Sequence, residues 1–152
     1  MKVLALILAV LITTGCASNL KQSAQASVAA DAATTVAGVA SGVAAEANPL
    51  ITSPAGLVAT VALRLVIIDK INKLPEDERI NALASFNSVT WGIAASNLAI
   101  IALASNPIGL AVGLVTGLSV WESTKDERLF AESCAYMKQT DPTIKCVFGK
   151  KS

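Results

Sequence analysis

The chain is 152 residues long, 53% hydrophobic and only 15% charged, with a net charge of +1 and a mean hydropathy of +0.60. Soluble domains carry about 25% charged residues, so the composition points to a membrane setting, and the near-neutral balance argues against a nucleic-acid-binding face. The absence of histidine removes the commonest general base and metal ligand, which argues against zinc ligation and against a serine–histidine catalytic pair.

Met1 and Lys2 place one positive side chain ahead of an unbroken apolar run, Val3 to Ile12. That run is too short to cross a bilayer, which takes about 20 residues. A short basic start, an apolar core and small residues before a cut describe a secretory signal. The signal closes on Thr13-Thr14-Gly15-Cys16. This segment resembles the lipobox of bacterial lipoproteins, with threonine at position 13 where leucine is more usual. The resemblance implies cleavage before Cys16, with lipid attached to its sulfur and to the new amino terminus. Ala17 in place of an aspartate implies outer-membrane sorting if the cell is Gram-negative. The competing reading is an ordinary signal peptide or an uncleaved first helix with an incidental Cys16. Residues 1–15 are thus expected as a lipoprotein signal peptide and 16–27 as a polar tether. The covalent lipid is the one non-protein group expected, with no other cofactor.

Residues 28–122 form the apolar body, expected as about four helices in two hairpins, an all-α membrane-embedded bundle. The first helix covers Val28 to Ala47, where Gly38 and Gly42 stand four apart in a small-xxx-small pattern that lets helices approach closely in lipid. Asn48-Pro49 breaks it, because proline disfavours helical geometry in the residue before it and has no donor. Ser53 and Pro54 then supply a cap and a first-turn proline for a second helix ending near Ile71. Asp31-Ala-Ala-Thr34-Thr35, the two glycines and Glu46-Ala-Asn48-Pro49-Leu50 together resemble a motif of small bacterial and archaeal integral membrane proteins of no assigned activity. The resemblance singles out Asp31, Thr34, Thr35, Glu46, Asn48 and Pro49.

A charged connection runs from Asp69 to Arg79. Ile80 to Trp121 then carries no charge at all, enough for two helices divided by Ser105-Asn106-Pro107. The Asn-Pro step is used twice, each time between helices. Gly109, Gly113 and Gly117 repeat the four-residue spacing on the fourth helix. Trp91 and Trp121 suit interfacial anchors. The tail, 123–152, is polar with a short helical pattern. Cys134 and Cys146 are expected to form a disulfide there, as exported compartments allow. Four crossings would leave both termini exported, either in the inner or the outer membrane.

Charges within lipid are costly and often functional. Arg64 is expected to pair with Asp31 across the first hairpin. The alternative leaves Asp31 at the interface, Glu46 at the turn and Arg64 reaching for water. Thr34, Thr35, Asn48 and Asn97 are further polar candidates, Asn97 above all because a buried amide must find partners. No phosphate-binding loop, nucleotide motif, nucleic-acid face or metal cluster is legible, and no catalytic residue is assigned. The expected role is structural or interactive in the bacterial envelope, with lipid and a second copy or an envelope protein as partners. Two other readings are a pore-forming or exclusion factor of phage or plasmid type and a lipoprotein carrying a soluble periplasmic helical bundle.

Overall fold

A computed structural model of the chain describes residues 19–42 and 53–147. It is an all-helical bundle of five helices: α1 Leu20–Ala40, α2 Pro54–Ile71, α3 Glu76–Leu103, α4 Asn106–Ser123 and α5 Lys125–Thr140. The signal segment, Cys16, the Asn48-Pro49 turn and the last lysines lie outside the described residues.

Each helix boundary has a local cause. Asn19 caps α1 by accepting from the Gln22 N–H at 2.9 Å. Helix α1 therefore starts at Leu20 rather than Val28, and residues 20–27, expected as tether, are helical. Ala24 and Ser27 in this stretch are fully buried. Gly42 closes the helix with φ +69°, a left-handed geometry that glycine adopts without a Cβ penalty. Ser53 caps α2 by accepting from the Gly56 N–H at 3.0 Å, with Pro54 in the first turn. Three acids, Glu76, Asp77 and Glu78, open α3, where the partial positive charge of the helix start favours them. Ala104, at φ 50°, ends it, and Ser105 and Pro107 start α4.

Helix α3 is the spine. It packs most extensively on α4, then on α1, and also meets α5 and α2. Helix α1 lies more against α3 than against α2, so the first pair is not a self-contained hairpin as expected. Asn87 donates to the Leu20 carbonyl at 3.0 Å, and the Trp91 indole donates to the Ser23 hydroxyl at 3.1 Å. These bonds run α1 parallel to α3. Ala24, Val28, Ile68 and Leu83 form one apolar cluster; Ala30, Trp91 and Ala94 form the other. Trp91, expected at a membrane interface, is buried in the second cluster. Trp121 instead lies beneath the Arg128 guanidinium, 3.5 Å from its ring centre.

The α3–α4 contact is built from backbone. Helix α4 buries only Gly109, Gly113 and Gly117. Gly117 takes a 2.7 Å hydrogen bond from the Ser88 hydroxyl at its carbonyl. A methyl group added at Gly113 would come within 2.7 Å of the Gly92 carbonyl oxygen and 2.8 Å of the Ser96 Cβ. The expected stripe on α4 is therefore made, and Ser88, Gly92 and Ser96 supply its other half. The stripe on α1 is made only in part, because nothing lies within 4 Å of where a Gly42 side chain would be.

The tail forms the fifth helix. Its Cys134 is fully buried and is bonded to Cys146, with Cα atoms 6.0 Å apart, so the expected disulfide is present. Lys138 on α5 pairs with Asp77 at the start of α3 at 3.2 Å. Inside the disulfide loop, Asp141 accepts from the Thr143 N–H at 2.9 Å and the Thr143 hydroxyl at 2.7 Å. Those two donors hold the Asp141 carboxyl below its ordinary range. A depressed carboxylate pKa means that the turn's stabilisation is present at neutral pH and is lost as pH falls through the folded value.

Two outcomes follow from this packing. Gly113→Ala must push α3 and α4 apart, and thermal unfolding in detergent should show a loss of about 1–3 kcal/mol; an unchanged midpoint would refute the close approach. Thr143→Val should move the Asp141 carboxyl midpoint, read by NMR titration, back up toward the ordinary value, and no movement would dismiss the turn as its cause.

Candidate functional site

Three helices bring their polar residues to one place in the apolar body. Asp31 on α1 is 4% exposed. One of its carboxylate oxygens is paired with the Arg64 guanidinium from α2. The other accepts from the Asn97 amide of α3 at 3.0 Å. The same amide nitrogen lies 3.3 Å from the Thr35 hydroxyl. Thr34 turns back instead and donates to the Asp31 backbone carbonyl at 3.0 Å.

The physical reason is the cost of an unpaired charge. Moving an ionised carboxylate out of water is prohibitive unless donors replace the lost hydration. Asp31 has both oxygens engaged, and Arg64 keeps a 26% exposed side chain, so its charge is still partly solvated. The cluster joins α1, α2 and α3 at fixed heights. Asp31, Thr35, Arg64 and Asn97 are thus brought together as four of the polar residues singled out from the sequence. Glu46 and Asn48 lie outside the described residues, as does Cys16, the residue expected to carry lipid.

A further amide, one that the residue pattern does not single out, is buried. Asn87 is fully buried, and its Oδ1 has no protein partner. Its place beside Ser88, four residues before Gly92, is a signal the sequence does carry, because the small residues there permit a close helix. No group of three or more His, Cys, Asp or Glu side chains able to hold a metal occurs among the described residues.

The outer surface is the other notable feature. Helix α4 buries its glycines and exposes its leucines: Leu110 is 69% exposed and Leu114 65%. Helix α2 buries only Ile68 and leaves Leu63 60% exposed. Burying one such side chain is worth about 1.5–3 kcal/mol in water, so these helices leave a large apolar area uncovered in the isolated chain. Helix α3 is the one described helix that is long and apolar enough to cross a membrane, and only about a third of its most apolar stretch is buried.

Compared with known protein families, curated proteins and solved structures, the chain matches none.

The cluster makes a direct stability claim. Arg64→Leu strands a buried carboxylate and should cost about 3 kcal/mol, the lower end for a broken buried pair, because Arg64 is partly exposed. Adding Asp31→Asn to the same chain should restore most of that loss. Equal unfolding midpoints for the single and double variants would reject an electrostatic role for the pair.

Proposed function

We propose that this protein is a lipid-tethered helical bundle of the bacterial envelope that works through contact rather than catalysis. The observation that carries the reading is α4, which hides glycines and presents leucines. The available chemistry is then the outer surface, not a cleft. The buried Asp31 and the half-buried Asn97 spend their hydrogen bonds on one another.

A compact bundle is favoured over four separately threaded spans. Helices α2 and α4 have 18 residues each, or roughly 27 Å at 1.5 Å per residue, short of the roughly 30 Å hydrocarbon core. Helix α2 also ends in charge, at Asp69 and Lys70. The interhelical contacts centre on α3, so the helices form one packed unit. The glycine stripe is used up between α3 and α4 of one chain, which leaves it unavailable for assembling a pore.

The tether rests on Cys16 and its resemblance to the lipobox. The Cys134–Cys146 disulfide fits the same exported location, since reducing compartments keep thiols free. The role is that of a structural or docking component, with Asp31 and Arg64 holding the bundle in register.

Intact mass of the protein purified from membranes tests this reading. The expected species begins at Cys16, carries acyl chains, and gains two hydrogens on reduction. A chain retaining residues 1–15 without added lipid would overturn the tether.

A further inference from the structure

We infer that the apolar end of the bundle is seated in the lipid bilayer, entered from the face that carries Cys16, with the charged end left at the surface as a collar. The inference rests on the tethered-bundle reading and adds what the outer surface touches and how deep it goes.

The first observation is where the charges are. Among the described residues, every Lys, Arg, Asp and Glu except Asp31 and Arg64 falls at Lys21, between Asp69 and Arg79, or between Glu122 and Lys145. These are the start of α1, the end of α2, the start of α3, the end of α4, and α5 with its tail. The bonds from Asn87 to Leu20 and from Lys138 to Asp77 gather these segments at one end of the bundle. The opposite end, where α1 and α3 stop and α2 and α4 begin, has no charged residue among those described; the connection from α1 to α2 carries one acid, Glu46, outside the described residues.

The second observation is that the exposed apolar residues go all the way round. Val36 on α1, Leu63 and Val66 on α2, Ile93 on α3, and Leu114 and Leu118 on α4 are each at least 40% exposed. A second copy or a folded partner would cover one face, about 800 Å² in a standard interface. Lipid covers every face. The inverted α4 fits as well, because lipid removes the drive to bury leucine and leaves close backbone packing as the means of association.

The third observation is where the tether joins. Cys16 stands three residues before the α1 cap Asn19, so chain length alone holds it within roughly 10 Å of that cap. Acyl chains and the apolar end therefore enter the same leaflet side. Beyond the collar α2 runs roughly 22 Å from Asp69 to Pro54 and α3 roughly 36 Å from Arg79 to Leu103, at 1.5 Å per residue, against a hydrocarbon core of roughly 30 Å. The apolar end therefore reaches deep into the core, with α3 long enough to span it. The Asp31–Arg64 pair, five residues from Asp69 along α2 and ten from Lys21 along α1, lies below the collar, where each charge offsets the other.

The test uses the full lipidated chain, in which Cys16 is acylated and Cys134 and Cys146 are joined, so an introduced cysteine is the single free thiol. Leu114→Cys and, separately, Tyr136→Cys are labelled with an environment-sensitive fluorophore and placed in phosphatidylcholine–phosphatidylglycerol vesicles. The Leu114 position should be quenched at least threefold more by spin-labelled acyl chains than Tyr136, and Tyr136 at least threefold more by aqueous iodide. Equal iodide quenching at both sites, with intact mass showing the lipid in place, overturns the insertion but leaves the tether standing. A Leu114 label shielded from iodide yet untouched by the spin-labelled lipid also overturns it and assigns the surface to protein.

Discussion

A carboxylate inside an apolar body must be given back the hydrogen bonds it leaves in water, and the bundle is organised around meeting that demand for Asp31. The donors come from two other helices, Arg64 on α2 and Asn97 on α3. Because side-chain reach is short, satisfying both oxygens sets the height of α1 against each neighbour. Apolar contacts between alanines and valines are non-directional and could slide by a turn at little cost. The polar cluster removes that freedom. A buried ion pair is weak evidence for stability, and its contribution here is to register.

The α3–α4 contact solves a different problem. Its two helices meet through Gly92, Gly109, Gly113 and Gly117 with serines between them, so backbone approaches backbone. Glycine carries a cost of about 1 kcal/mol per residue in a helix relative to alanine. The gain is dense van der Waals packing and the Ser88–Gly117 hydrogen bond. The large side chains of α4 are left outside, as the proposed contact with lipid would favour.

The charged end is held together separately. Helix α5 is the one helix with a strongly polar composition, and it is secured by the Cys134 disulfide, the Lys138–Asp77 pair and the stacking of Arg128 on Trp121. Arg128 also donates to the Trp121 carbonyl at 3.2 Å, which satisfies an acceptor at the end of α4. Closing a loop of this size contributes about 3 kcal/mol in the chain-entropy model, a useful reserve for a segment with little apolar area to bury.

Helix count in the apolar body, the Ser53-Pro54 and Asn106-Pro107 starts, the α4 glycine spacing and the Cys134–Cys146 pair were legible from residue order, because each depends on local backbone chemistry or on two thiols close together in a polar tail. The Asp31–Arg64 contact was legible as well, since two opposite charges in an otherwise uncharged region have few other partners. The start of α1 was misjudged: Lys21, Gln22 and Gln25 read as a solvated tether, yet Ala24 and Ser27 between them are buried. Trp91 was misjudged for the same reason, because an aromatic with a polar edge fits an interface or a core equally well until Ser23 is known to stand beside it. Which helices become neighbours is a matter of three-dimensional fit. Residue order favours adjacent pairs, but α1 found its larger surface on α3, where Asn87, Trp91 and Asn97 present donors at three successive heights. Long-range donors of this kind leave no periodic trace in a chain, and so the parallel pairing of α1 with α3 could emerge only on folding.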